Sequence, residues 1–298
     1  MPPDPRRVHR GSASTRLVMP LAILSLVAPA ATDAETRPAD SGPPPSYRSD
    51  RGTGLPTSQF GTYVRQGEWL VYAFYEYTRT SAFEYKPVEL GFAGNEDFLG
   101  TLRERESLVF VSHGLTERME VEFEAALNNR ASFAKDPTDP SAVPNRLEES
   151  GLGDVEGQFR WRWSDETEHR PELFSFFEVA FPLQKDKVLI GTHDWEYNLG
   201  LGVIKGHRWG TLTGRATIVY DRGDRSFDLG EYAVEYLKRV SRVWRLVAAV
   251  EAESDEVQVI LEAQARVNPR LLLKLNSGFG VTQKAPDVAP EVGVMFSW

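Results

Sequence analysis

The 298-residue chain contains no cysteine, which excludes disulfide staples, thiolate nucleophiles and cysteine-ligated zinc or iron–sulfur sites. It is short of cations: 34 Lys+Arg stand against 43 Asp+Glu, a formal charge of −9. A nucleic-acid binder would show the opposite balance on at least one face. Beyond the first thirty residues there is no apolar run of about 18, and the mean hydropathy is −0.37; a bundle of membrane-spanning helices is excluded. Helical stripes of period 3.6 are scarce after residue 66. Catalytic constellations are missing too. The histidines, at 9, 113, 169, 193 and 207, are scattered. Ser112 and His113 adjoin, but neighbours on a strand point to opposite faces and cannot form a nucleophile–base pair. No enzyme is expected, and no cofactor. Asp136, Asp139, Asp221, Asp224 and Asp228 fall in or beside loops without the spacing of a calcium loop, so no metal is expected either.

What is present begins with a targeting pattern. Arg6, Arg7, Arg10 and Arg16 precede an apolar stretch from Leu17 to Val27, and Ala28-Pro29-Ala30 offers small residues for cleavage. This is the layout of a secretory signal peptide over residues 1–30. Residues 31–58 are rich in Pro, Ser, Asp and Gly and read as a disordered periplasmic lead-in. The remainder, 59–298, reads as one domain.

That domain alternates with a period of two. Met119, Val121, Phe123, Ala125 and Leu127 share one face of a strand, against Glu120, Glu122 and Glu124 on the other. Trp244, Leu246, Ala248 and Val250 oppose Arg245 and Glu251 in the same way. Twelve such segments follow one another: 67–80, 105–115, 118–128, 154–164, 171–181, 194–205, 209–221, 229–239, 243–254, 256–267, 270–281 and 288–298. Eleven tilted residues cover roughly 25 Å, the height of an outer-membrane barrel's apolar band. Short connections alternate with longer ones, notably 81–104 and 129–153. The expectation is a 12-stranded antiparallel transmembrane β-barrel, all-β, with short periplasmic turns and longer extracellular loops. The cell outer membrane is its expected location. For segment 105–115 the phase stays open, because Leu108 and Phe110 compete with Val109 and Val111 for the outward face.

Tryptophans fall mostly at one end. Trp69, Trp161, Trp163, Trp244 and Trp298 lie on the apolar face near the short turns and form a candidate girdle at the membrane interface. The chain ends on Val292, Val294, Phe296 and Trp298 in phase, the kind of terminal strand that presents itself to barrel-insertion machinery. A monomer is expected.

If the apolar face meets lipid, the other lines a lumen dense in charge: Glu120, Glu122, Glu124, Arg160, Arg162, Arg215, Glu251, Glu262 and Arg266 are the main candidates. Pairing segments 118–128 and 154–164 end to end sets Glu120 opposite Arg162 and Glu122 opposite Arg160. The cations cluster toward the short turns and most acids toward the long loops, an axial gradient that would favour cations at the mouth. The alternative is that these charges satisfy one another and plug the lumen. Inward Tyr72, Phe74, Phe174 and Phe176 either line a greasy passage or pack on one another or on the 31–58 segment.

Gly151-Leu152-Gly153-Asp154 opens a strand after a long loop, Phe181-Pro182 ends one, and Gly191-Thr192-His193-Asp194 follows. With Leu199-Gly200-Leu201-Gly202, Gly278-Phe279-Gly280, Ala285-Pro286-Asp287 and the weaker Gly114-Leu115-Thr116-Glu117-Arg118, the chain resembles the outer-membrane transporter family named after the meta-cleavage (MetA) pathway of phenol degradation. The match covers roughly 150–298. It departs from the family at Pro182-Leu183-Gln184-Lys185, where Pro-Thr-Gly-Asp is usual. The resemblance implies a channel passing small compounds, aromatic ones among them, and it transfers no catalytic residue. The competing expectation is a closed structural or surface-interaction barrel that transports nothing.

Overall fold

Each of the twelve predicted segments contains a strand, and the strands close on themselves. A computed structural model describes residues 45–57, 61–223 and 225–298; the expected signal peptide and residues 31–44 lie outside the described residues. A small hairpin, β1 (Leu55–Pro56) and β2 (Tyr63–Val64), precedes the wall. The wall then runs β3 (Trp69–Tyr85), β4 (Phe98–Gly114), β5 (Met119–Lys135), β6 (Arg146–Gly151), β7 (Val155–Ser164), β8 (Glu172–Ala180), β9 (Glu196–His207) and β10 (Gly210–Asp221). It is completed by β11 (Ser226–Arg239), β12 (Trp244–Glu253), β13 (Glu256–Asn268), β14 (Leu271–Gly280) and β15 (Ala289–Ser297).

All pairings in the wall are antiparallel between sequence neighbours, and β15 returns to β3. β6 and β7 lie in succession along β5 and make one wall strand interrupted at residues 152–154. The wall therefore has twelve strands. Closure matters because a membrane offers no water to an unpaired sheet edge. At the seam, the amide of Trp69 donates to the Trp298 carbonyl at 3.0 Å and the amide of Trp298 donates back at 3.1 Å.

The outer face is apolar and uncovered. Phe123, Phe177, Leu199, Val234, Leu246, Leu261, Leu275 and Val292 are all exposed, and Leu201 reaches 65 %. A soluble fold could not leave so much contiguous apolar surface open. This is a transmembrane β-barrel, with lipid as the solvent of that face. At its short-turn end Trp69, Trp161, Trp163, Trp209, Trp244 and Trp298 are exposed, with Trp69 stacked on His113 at 4.1 Å and Trp161 on Trp163 at 5.6 Å.

Four differences from the sequence expectation have physical causes. β3, β4 and β5 run well past the predicted ends, so the connections read as 81–104 and 129–153 shrink to 86–97 and 136–145. The extra turns of strand stand beyond the apolar band, where no lipid imposes alternation. Tyr85, Leu102, Phe133, Leu189 and Ile190 form a separate apolar cap there. Second, the phase left open on 105–115 resolves with Leu108, Phe110 and Ser112 inside and Val109 and Val111 outside. Third, β5 carries a bulge at Leu127, opposite the Ser107/Leu108 step. The bulge moves Asn129, Ala131 and Phe133 to the buried face. Fourth, β5 and β7 pair with Glu120 opposite Arg160 and Glu122 opposite Gln158, two residues away from the expected register.

Candidate functional site in the barrel lumen

The lumen on the short-turn side is filled by the chain itself. Residues 45–57, expected as part of a disordered lead-in, instead form a short 3-10 turn (Ser46–Arg48) and enter the barrel as β1. Leu55 and Val64 are fully buried against Leu70, Tyr72, Phe74, Leu108 and Phe110. Tyr63 packs beside Phe174, Phe176 and Ile204. Tyr72 and Phe74 thus cover Leu55 and Val64, while Phe174 and Phe176 lie beside Tyr63, a residue that follows the expected 31–58 lead-in.

Charge holds this plug where it enters. The Arg51 guanidinium lies 2.8 Å from Glu172 and 3.0 Å from Glu166, with all three side chains almost wholly buried. Burial opposes its charge, but the Tyr63 hydroxyl and the Glu172 and Glu166 carboxylates outweigh that, holding its pKa above the ordinary value. Burial in turn pushes the Tyr63 phenol up to about 12. Asp50 accepts from Lys238 at 3.2 Å and from the Arg239 amide at 3.0 Å. Beneath them the wall has been cleared: a Cβ on Gly206 would stand 1.6 Å from the Tyr47 carbonyl oxygen.

Glycine also explains the Leu199-Gly200-Leu201-Gly202 motif. Phe176 faces Gly200 and Phe174 faces Gly202 across the β8–β9 ladder, and each ring lies where a Cβ would be, within 2.1 Å. The alternating leucines meet lipid while the glycines let two phenyl rings lie flat against the inner wall. Over these rings sits the Arg160 guanidinium, 5.7 and 5.3 Å from their centroids, a cation–π arrangement. Arg160 also approaches Glu120 at 3.4 Å and Glu122 at 3.3 Å and donates to the Pro56 carbonyl at 2.6 Å. Plug, aromatic pair and cation are one contact network.

The other expected lumen residues distribute as follows. Arg162 reaches Glu172 at 3.0 Å rather than Glu120. Arg215 pairs with Glu231 and lies 3.4 Å from Glu251. Glu262 is 3.5 Å from Lys274 and accepts from Gln264 at 2.5 Å. Tyr72 donates to Glu291. Glu124 is half-buried opposite Glu156. Arg266 is exposed at the end of β13, where a bulge between Arg266 and Asn268 turns the strand; it does not line the buried lumen. The expected gradient is also blunted. Glu120, Glu166 and Glu172 sit in the short-turn half among the cations, because the plug's Arg51 and the wall's Arg160, Arg162 and Lys205 need counterions there.

Sequence reasoning missed Asp50, Arg51, Glu166 and Glu172. The available signal was Leu55 and Tyr63-Val64, apolar residues inside an otherwise polar stretch. Between plug and wall remains a cavity of about 20 Å³, bounded by Pro56, Gly61, Tyr63, Arg160, Arg215, Glu235 and Glu251 among others. That is room for about one water molecule.

No protein-family model and no curated protein matches the chain. Among solved structures, an outer membrane channel from Pseudomonas putida F1 is similar at a TM-score of 0.58 and 12% identity. The likeness covers 82% of this chain and 100% of that one, and it places the two in one barrel architecture. A KdgM porin in complex with oligogalacturonate is similar at a TM-score of 0.47 and 8% identity, over 76% of this chain and 99% of that one. The toluene transporter TbuX of Ralstonia pickettii stands at 0.38 and 8% identity, over 78% and 88%. Both of these likenesses are too loose to bear on this chain.

Proposed function

We propose that this barrel is an outer-membrane channel for passive passage of small solutes, and that residues 45–66 are the element that closes it. One observation carries the reading. On the short-turn side the lumen is blocked by a separate segment of chain packed against the wall's inward side chains, and a separate segment can leave without unfolding the wall. Twelve strands enclose more room than the eight that side chains alone can fill. The shared architecture with the Pseudomonas putida channel is consistent with this. The signal peptide, the monomeric state, recognition of Trp298 by insertion machinery and the absence of enzymatic activity belong to the same proposal. Aromatic or hydrophobic compounds are the solutes that Phe174, Phe176, Tyr72 and Phe74 would favour once β1 and β2 no longer cover them.

Liposome swelling tests both levels. Vesicles holding a chain without residues 45–66 are expected to swell in small neutral solutes and more slowly in larger ones; vesicles that never swell would leave the barrel without a transport role. Phe174→Glu is expected to slow phenol entry several-fold while leaving a small sugar alcohol unaffected. Equal loss for both would show that the ring serves packing alone.

A second reading has its own observation. The extended ends of β3–β6 and the loops over them build an apolar cap beyond the membrane band. A closed barrel displaying that cap as an interaction surface would show normal folding and no swelling.

A further inference from the structure

In the cavity beside the plug, one carboxylate stands apart from the rest. Glu235 is 6 % exposed, and among the described residues it has neither a hydrogen bond nor an ion pair. Its Oε1 lies 3.8 Å from the point where a Cβ on Gly61 would be, so the carboxylate looks into the same space that Gly61 and Pro56 bound. The charged groups that act on it most strongly are Glu262, Arg215, Lys274 and Glu251. Both cations among these are committed elsewhere, Arg215 to Glu231 and Glu251, Lys274 to Glu262. Glu231, Glu251, Glu262 and Glu235 therefore share two cations, the Arg160 of the same cavity being held by Glu120 and Glu122, and Glu235 is the carboxylate paired with none of them. A buried carboxylate is strongly disfavoured in its charged form unless a cation faces it or it takes up a proton.

We infer that this cavity is a binding site for a singly charged cation of ammonium size. The volume of about 20 Å³ admits one such group and no bulky one. Among the described residues no group of three or more His, Asp or Glu side chains is arranged to hold a metal ion. Thr213, directly across the ladder from Glu235, and Glu251 line the same space and offer further oxygens to an N–H donor. The occupant is either a free ammonium ion or the primary ammonium head of an amine whose body lies toward the aromatic pair. The inference rests on the channel reading only for the second of these sources.

The test is thermal unfolding of the full chain in detergent, titrated with ammonium, methylammonium or tetramethylammonium chloride at constant ionic strength. Ammonium is expected to raise the midpoint by roughly 2–4 °C at saturation, with tetramethylammonium inert because it does not fit. Methylammonium matching ammonium would identify an amine head as an acceptable ligand; methylammonium without effect would restrict the site to the free ion. Glu235→Gln is expected to unfold at a higher temperature without salt and to lose the ammonium response, whereas Glu235→Asp keeps a weakened one. An unresponsive parent chain, or an undiminished response in Glu235→Gln, would overturn the site. Swelling assays read the channel separately. Ammonium stabilisation without any solute passage would sink the channel and leave the site standing.

Discussion

Gly206→Val is expected to raise the rate of tryptic cleavage after Arg51 by about a hundredfold while the barrel itself stays intact. In the parent chain Arg51 is buried between Glu166 and Glu172, out of reach of a protease. Any side chain at 206 meets the Tyr47 carbonyl, with even a Cβ only 1.6 Å from it. A backbone carbonyl cannot swing aside as a side-chain tip can. Overpacking of this kind costs about 1–3 kcal/mol, and at about 1.4 kcal/mol per tenfold the upper end gives the stated factor. The cost falls on the docked plug and not on the wall, since Gly206 keeps its ladder position opposite Thr211. Arg51→Met should act in the same direction, measured by cleavage after Arg48, because it strands part of a buried ion cluster. Unchanged cleavage in a folded Gly206→Val barrel would mean that the segment around Tyr47 does not sit on the wall at β9.

Leu261→Arg is expected to cost the barrel about 2–4 kcal/mol when folded into lipid vesicles, the penalty for a charge at the bilayer midplane. Leu261 lies midway along β13, between Ala248 and Ser277 on the flanking strands, and its side chain is open to the outside. Depth provides the internal control. Phe227 is also exposed, but it sits at the outer end of β11, so Phe227→Arg should cost only about 0–1 kcal/mol. Equilibrium unfolding in vesicles measures both. Equal penalties at the two sites would mean that the face is wetted by something other than a bilayer.

How much of this could be read from the residues depends on where the solvent changes. On β13, Val257, Val259 and Leu261 alternate with Gln258 and Glu262 because lipid lies on one side and charge on the other, and the strand was legible to within a residue or two. Where both sides are wet the pattern disappears. Arg146–Gly151 offers one apolar residue, Leu147, and its role as the outer half of a wall strand is invisible to alternation. β4 is obscured for the opposite reason: Leu108 and Phe110 point inward to cover Leu55 and Val64 of the plug, so both its faces are apolar. The register of β5 on β7 depends on the length of the loop 136–145 and on residues 152–154 joining β6 to β7, neither of which alternation constrains. The lumen's charged inventory was legible from phase. Its pairing was not, because Asp50 and Arg51 come from a segment whose composition signals disorder until a barrel interior receives it. Glu235 was legible as inward, but only the structure shows that no partner among the described residues meets it.

The most direct test is single-channel recording in planar bilayers, comparing the full chain with one lacking residues 45–66, both checked for heat-dependent migration as evidence of folded barrels. Rare, brief conductance steps from the full chain and sustained steps from the shortened one are the expected result. A shortened chain that folds and still conducts nothing, or a full chain that conducts equally well, would contradict a lumen closed by its own N-terminal segment.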